Sequence, residues 1–188
     1  MKTFTFIMNA DLKHCFAHQY QSENLTMDLL LGLVSDTDHI SKKMKSLLVN
    51  EIKEWYDPAE LSYVNHVWRD IFIIEDKSSY LYRYDVNMIE TDMSDTVFPL
   101  AEKATFTFIA HIRHYNVSCQ FKVATLEEGL MLWATNMRYL NRQQRKVLLK
   151  YISKSKNFPV AVEGVKNVWS TSYRIFRPLL TLHIIKTV

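Results

Sequence analysis

The sequence predicts an α+β fold built mainly on antiparallel sheet, because it combines two patterns. Aromatic and β-branched residues fill short segments bounded by turn-forming residues, which is typical of strands. Two longer stretches, near 37–56 and near 125–155, repeat their apolar residues at helical spacing. Strand-like segments flank every change in composition, and no internal repeat or linker is evident. All 188 residues are therefore interpreted as a single domain.

The N-terminal third is predicted to alternate strand and helix. Residues 3–8 form a strand, and residues 11–20 form a short helix. The segment from Leu25 to Val34 fits either a buried strand or a helix. Asp36 or Thr37 caps the helix near 37–56, which the Asp57-Pro58 pair ends.

The middle of the chain predicts two hairpins. Residues 67–75 and 80–86 form the first hairpin around the turn at 76–79, and alternation places Tyr80, Tyr82 and Tyr84 on one face. Residues 87–95 are interpreted as an acidic loop. The second hairpin is predicted from residues 105–113 and 115–124.

The C-terminal region predicts a helical pair followed by short strands. Thr125 and Glu128 have capping-box spacing and open the first helix, and Asn141 and Gln144 open the second in the same way. Strands are expected over 159–163, 168–176 and 179–187.

The distribution of charge is the strongest functional signal. Residues 1–102 carry nine Lys/Arg against 17 Asp/Glu, a net −8, whereas residues 103–188 carry 14 against three, a net +11. No acidic residue occurs between Glu128 and Glu163. Such asymmetry is typical of a chain whose basic half meets a polyanion, or of one that neutralises itself within the fold.

The basic residues of the second C-terminal helix are predicted to form one broad face. At about 100° per residue they project to one side, with Val147, Leu148, Tyr151 and Ile152 opposite. The candidate phosphate-binding cations are Arg138, Arg142, Arg145, Lys146, Lys150 and Lys154. A solvated helix face is the alternative reading of the same pattern.

The last strands offer aromatic residues for stacking on unpaired bases. Strand alternation places Trp169, Tyr173 and Arg177 on one face, and Arg174 adds a further cation. The alternative is that these rings belong to the core. No signature of a named RNA-binding module is present.

No motif predicts catalysis, a cofactor or a metal. The sequence lacks a GxSxG, a P-loop, a GxGxxG and an HExxH. His14 and His18 stand at i, i+4 without further ligands, and His111 and His183 lack the H-x-T/S pattern of two-histidine phosphoesterases. We therefore expect a non-enzymatic protein without a cofactor or a metal.

The sequence also indicates a compartment. Cys15 and Cys119 make no disulfide framework, and the start lacks the apolar core of a signal peptide. The apolar run from Leu29 to Val34 is too short to cross a bilayer. We expect a soluble, cytoplasmic protein without a membrane partner.

The leading hypothesis is a protein that binds RNA or single-stranded nucleic acid through the basic helix face and the C-terminal aromatic residues. The alternative is a protein-binding module, an inhibitor or assembly factor, whose acidic and basic halves each meet a partner or associate with another copy. The scarcity of Gly and Pro, with frequent Asn, Met and aromatic residues, resembles the composition of small phage and viral proteins.

Overall fold

The computed structural model shows an α+β protein, as the sequence predicted. It describes residues 1–10, 14–56, 62–64, 66–75, 80–99, 101–112, 115–154, 157–175 and 179–188. The chain divides into two compact units, which we call unit 1 (Met1–Thr91) and unit 2 (Asp92–Val188). In each unit, two helices pack on one face of a five-stranded antiparallel sheet.

Unit 1 has the sheet order β2-β1-β5-β4-β3. Phe4, Phe6 and Met8 alternate along β1 and pack against Leu30 and Leu33 of α1, because successive strand residues point to opposite faces. The elements are β1 (Lys2–Ala10), β2 (His14–Ser22), α1 (Met27–Asp36), α2 (Lys42–Trp55), β3 (Ser62–Val64), β4 (Val67–Glu75) and β5 (Leu81–Glu90).

Unit 2 has the sheet order β7-β6-β10-β9-β8. Phe106 and Phe108 of β6 form its core with Leu130 and Trp133 of α3 and Leu148 of α4. The elements are β6 (Ala104–Ile112), β7 (Tyr115–Val123), α3 (Leu126–Asn136), α4 (Arg142–Ile152), β8 (Val160–Ala161), β9 (Val168–Arg174) and β10 (Leu179–Thr187).

The two units repeat one architecture, which the sequence did not reveal. Both run β-β-α-α-β-β-β, and their sheets have equivalent strand orders. A buried polar cluster recurs at the same register. The Thr5 and Thr91 hydroxyls share a hydrogen bond of 2.6 Å in unit 1, and Thr107 and Thr187 form the same bond in unit 2.

Further side chains support the repeat. The Gln19 amide donates to the Thr5 hydroxyl at 2.9 Å, and the Gln120 amide donates to the Thr107 hydroxyl at 2.9 Å. The residue before β4 and the residue before β9, His66 and Asn167, both have a positive φ, of 64° and 59°. The structure therefore overturns the expectation of a chain without a repeat.

The two predicted helical regions are confirmed. The helix near 37–56 is α2, which begins at Lys42 because Ser41, rather than Asp36 or Thr37, accepts the capping hydrogen bond from the Met44 amide. The pair near 125–155 is α3 and α4. Thr125 and Asn141 are their N-caps, as predicted.

Three local predictions were wrong or undecided. Residues 14–20, interpreted as part of a helix, belong to β2, because they pair with β1 along its whole length; residues 11–13 lie outside the described residues. The ambiguous segment 25–34 contributes to α1. Residues 87–90, expected in a loop, continue β5 and are buried between β1 and β4. In each case sheet pairing or core packing overrode local composition.

The predicted tyrosine face is only partly formed. Tyr82 and Tyr84 lie on the helix-facing side of β5, and Tyr84 is buried. Tyr80 precedes the strand and is exposed, with its ring 4.7 Å from that of Tyr82.

The position of α3 depends on close contact with Phe108. The Phe108 ring stacks on Trp133 at 6.4 Å between centroids. One turn earlier the helix carries Gly129, where an added Cβ would lie 2.8 Å from the Phe108 ring and 3.2 Å from Val123. A glycine is therefore required for α3 to approach the sheet this closely.

We predict opposite effects for alanine at two helical glycines. Gly129→Ala should lower the free energy of unfolding by about 1–3 kcal/mol, because the Phe108 ring cannot move aside in a packed core. Gly32→Ala in α1 is the control, since its Cβ would lie 3.8 Å from Tyr20, and it should be neutral or stabilise by up to ~1 kcal/mol. Urea denaturation measures both, and equal effects would contradict the packing argument.

Candidate functional site

Exposed cations lie along the solvent side of α4 and continue just past its end. Four of them recur at intervals of four residues: Arg142, Lys146 and Lys150 in α4, and Lys154 two residues beyond its last residue. Each helical step of four residues advances about 6 Å along the axis and turns by about 40°, so Arg142 to Lys150 extend over roughly 12 Å on one side of the helix. We call these four residues the α4 stripe.

The opposite side of α4 holds the helix on the core. Leu148 and Ile152 are buried, whereas Val147 and Leu149 flank them and are partly buried. Arg145 is half-buried beside this face, so it borders the α4 stripe instead of belonging to it. Tyr151, predicted on the buried side, is exposed.

A complete capping box fixes where α4 begins. The Asn141 side chain accepts a hydrogen bond from the Gln144 amide at 2.9 Å, and the Gln144 side chain accepts one from the Asn141 amide at 3.0 Å. The capping box fixes the first turn of α4, and the burial of Leu148 and Ile152 fixes which side of the helix faces solvent.

No described acidic residue forms an ion pair with Arg138, Arg145 or the α4 stripe. The acids that the sequence placed in a loop bind other lysines: Asp92 pairs with Lys186 at 2.9 Å, and Asp95 pairs with Lys166 at 2.9 Å. The hydrogen bond from Lys166 lowers the pKa of Asp95. Positive charge on α4 therefore stays uncompensated within the described part of unit 2.

Arg142, at the first position of α4, interacts unfavourably with the helix dipole and so does not stabilise the helix. Helix N-termini carry a partial positive charge and favour acidic residues in the first turn. α3 follows this rule with Glu127 and Glu128, whereas α2 and α4 have no acid in their first turns and begin with Lys42 and Arg142. The first turn of α4 therefore concentrates positive potential.

The predicted stacking residues of β9 do not form an exposed platform. Trp169 and Tyr173 share one face, as predicted, but that face packs on the core of unit 2. Tyr173 is 2% exposed, its hydroxyl donates to the Asn157 carbonyl, and burial raises its pKa to about 12. Trp169 contacts the rings of Phe98 and Phe106.

The two arginines predicted near this strand have different outcomes. Arg174 is exposed at the end of β9. Arg177 lies outside the described residues.

The prediction of base stacking by Tyr173 is wrong, because its ring fills the core.

An exposed aromatic pair that the sequence analysis did not identify lies beside α4. Tyr115 at the start of β7 and Tyr139 in the loop before α4 are 53% and 52% exposed, and their rings lie 4.9 Å apart. They lie 24 positions apart in the chain, and the pairing of β7 with β6 and the packing of α3 bring them together.

A groove borders this pair. Its volume is about 360 Å³, and Trp133, Cys119 and Phe121 line its apolar part. Arg138 and Tyr139 line it from the loop between α3 and α4. Burial raises the pKa of the Cys119 thiol to about 11, so this cysteine is protonated at neutral pH.

Two buried histidines lie on the other face of the same sheet. His111 of β6 and His183 of β10 have ring centroids 6.1 Å apart. Burial, followed by the effect of His111, lowers the pKa of His183 to about 3. His183 is therefore neutral at physiological pH.

The described residues lack two further features, a metal site and a membrane-spanning helix. They contain no group of three or more His, Cys, Asp or Glu side chains arranged to hold a metal ion. Over the same ranges, no helix combines the length and hydrophobicity needed to span a membrane.

Comparison with known proteins gives no further assignment. No family model, no curated protein and no solved structure matches the chain.

We predict that His183 makes stability fall as the pH decreases below about 6.5. Its pKa is 6.5 in an unfolded chain and about 3 in the folded protein, so between these values the unfolded state binds one more proton. The loss at pH 5 should be about 2 kcal/mol relative to pH 7. Urea denaturation at both pH values measures it.

The control variant for this prediction is His183→Asn, which introduces the residue that unit 1 has at the equivalent position of β5, Asn87. This variant should lose less stability between pH 7 and pH 5 than the wild type does. An unchanged loss would assign the pH dependence to other groups.

Proposed function

We propose that the protein binds RNA or other single-stranded nucleic acid through unit 2, without catalysing a reaction. The observation that carries this proposal is the α4 stripe, whose four exposed cations recur every four residues and form no ion pair with a described acid. Cations that neutralise phosphates supply most of the affinity of non-specific nucleic-acid binding.

The balance of charge in unit 2 supports the proposal. Unit 2 carries 14 Lys/Arg against six Asp/Glu, whereas unit 1 carries nine against 14. Glu127 and Glu128 lie at the start of α3, about 15 Å along that helix from the loop that leads into α4. Repulsion of a polyanion by these two acids is therefore weak at physiological salt, where charges are screened over about 8 Å.

The aromatic pair favours a single strand over a duplex. Tyr115 and Tyr139 are exposed next to the first turn of α4, where their rings are accessible to unpaired bases. Stacking on aromatic rings together with a positively charged track is the usual way in which single strands are bound.

We predict that removal of the stripe weakens binding and its dependence on salt. The variant Arg142→Gln/Lys146→Gln/Lys150→Gln should bind a labelled eight-nucleotide uridine RNA more weakly. The slope of log K against log salt should become less negative by about 0.7 for each lost phosphate contact. Fluorescence anisotropy at several salt concentrations measures both quantities.

The matched control is Lys42→Gln/Lys43→Gln/Lys53→Gln, which removes the same charge from exposed positions of α2 in unit 1. This control should leave the salt slope close to that of the wild type. The stripe variant should fold normally, because Arg142 opposes the helix dipole and none of the three residues forms an ion pair with a described acid. Equal slopes for the wild type and the stripe variant would refute the proposal.

A second candidate function, self-association, has support in unit 1. Ile71, Ile73 and Leu81 are exposed on neighbouring strands, and register places them on one face beside Glu75. Arg83 lies on the same face, where a buried aspartate neutralises its charge. An apolar surface with an acidic edge is complementary to the basic surface of unit 2 in another copy.

We predict for this candidate that the apparent mass rises above 22.2 kDa with increasing concentration. Ile73→Lys/Leu81→Lys should keep the protein monomeric, because each lysine places a charge in the apolar contact. Val97→Lys, at an exposed position of unit 2, is the control. Sedimentation equilibrium measures the mass, and a monomer at every concentration would eliminate self-association.

A further inference from the structure

We propose that the groove beside Tyr139 is a binding site for one unpaired nucleobase, stacked against that ring while the adjoining phosphates lie along the α4 stripe. The inference rests on the proposed function and deepens it. The α4 stripe explains only how phosphates are bound, and the groove is now assigned to a base. The groove recognises a flat aromatic base, and the α4 stripe recognises the anionic sugar-phosphate backbone to which that base is attached.

The groove has the size and lining for this occupant. About 360 Å³ accommodates a single base, and the half-buried side chains of Phe121 and Val117 offer it apolar surface above the buried Trp133 and Met137. Tyr139 lines the groove while its ring contacts Tyr115. Support from Tyr115 restricts the Tyr139 ring, so little conformational entropy is lost when a base stacks on it.

The polar rim of the groove suits a nucleotide. Arg138 is exposed and lines the groove from the loop that leads into α4, so the rim of the groove is positively charged. The Asn136 amide nitrogen donates to the Leu132 carbonyl at 2.8 Å, and this bond orients the side chain. The Asn136 oxygen accepts no hydrogen bond from the described residues and is available to a donor group of a base.

The equivalent region of unit 1 shows that the fold does not require these residues. The α1–α2 loop and the α3–α4 loop have the same length, so Asp36, Asp38 and His39 correspond to Asn136, Arg138 and Tyr139. In unit 1, the Tyr20 hydroxyl donates to Asp36 at 2.7 Å. The α1–α2 loop of unit 1 is therefore acidic where the α3–α4 loop of unit 2 is basic, and of the two loops only the second complements an anion.

Two oligonucleotides of equal charge test the inference. One is an eight-nucleotide deoxythymidine strand, and the other is the corresponding strand with abasic sites throughout. The wild type should bind the thymidine strand roughly 5- to 150-fold more tightly, which is the range for stacking of one base on an aromatic ring. The two strands should have the same salt slope, because they present the same phosphates.

Three variants locate the base. Tyr139→Ala should bind both strands with nearly the affinity of the wild type for the abasic strand, and its salt slope should be unchanged. Tyr139→Phe should retain the preference for thymidine, since stacking does not need the hydroxyl. His39→Ala, at the equivalent position of unit 1, is the matched control and should also retain it.

Photo-crosslinking gives an independent readout. A strand with 5-iodouracil should crosslink to Tyr139 or Tyr115, as mapped by mass spectrometry of the digested protein. Crosslinks confined to other residues, or a thymidine preference that survives Tyr139→Ala, would overturn the assignment of this groove.

The outcomes also separate this inference from the proposed function. Equal affinity of the wild type for the two strands, with a steep salt slope, would refute the groove and leave the α4 stripe in place. Absence of binding to either strand at low salt would refute the proposed function itself, and the groove assignment with it.

Discussion

The packing of α3 against Phe108 is the contact on which the rest of unit 2 depends. Gly129 allows the helix to approach the sheet, and Trp133 stacks on the same ring one turn later. These two contacts hold α3 on the sheet, and the loop that carries Arg138 and Tyr139 follows from the C-terminal end of this helix. The capping box at Asn141 then starts α4 in a fixed orientation. A chain of local constraints thus leads from one buried aromatic ring to the positions of the exposed cations.

The repeated architecture separates what the fold requires from what the surface provides. Both units keep the buried threonine pair with its glutamine and the positive φ before the penultimate strand of the sheet. Their surfaces differ, because a solvent-exposed position can change its charge at little cost in stability. Asp38 in unit 1 and Arg138 in unit 2 occupy equivalent loop positions. The fold therefore tolerates either charge, and the basic character of unit 2 needs an explanation other than folding.

Prediction from the sequence succeeded where the determinants are local. The capping residues Thr125 and Asn141 lie within three residues of the groups that they bind, so α3 and α4 could be recognised directly. Prediction failed where a segment that is distant in the sequence determines the local structure. Residues 14–20 form a strand because β1 pairs with them, and Tyr173 is buried because its strand faces the helices. The repeat was missed because a core preserves its burial pattern while the identities of its side chains change.

The sequence by itself determined the α+β class, the two helical regions and the surplus of cations in the second half of the chain, because periodicity, capping and charge are properties of neighbouring residues. Only the tertiary structure decided which cations lie free of acids and which aromatic residues face solvent. Tyr115 and Tyr139 have no periodic relation in the sequence, and they meet because sheet pairing and helix packing place their backbones together. Exposure and proximity depend on the whole packed unit, so they cannot be obtained from a local pattern.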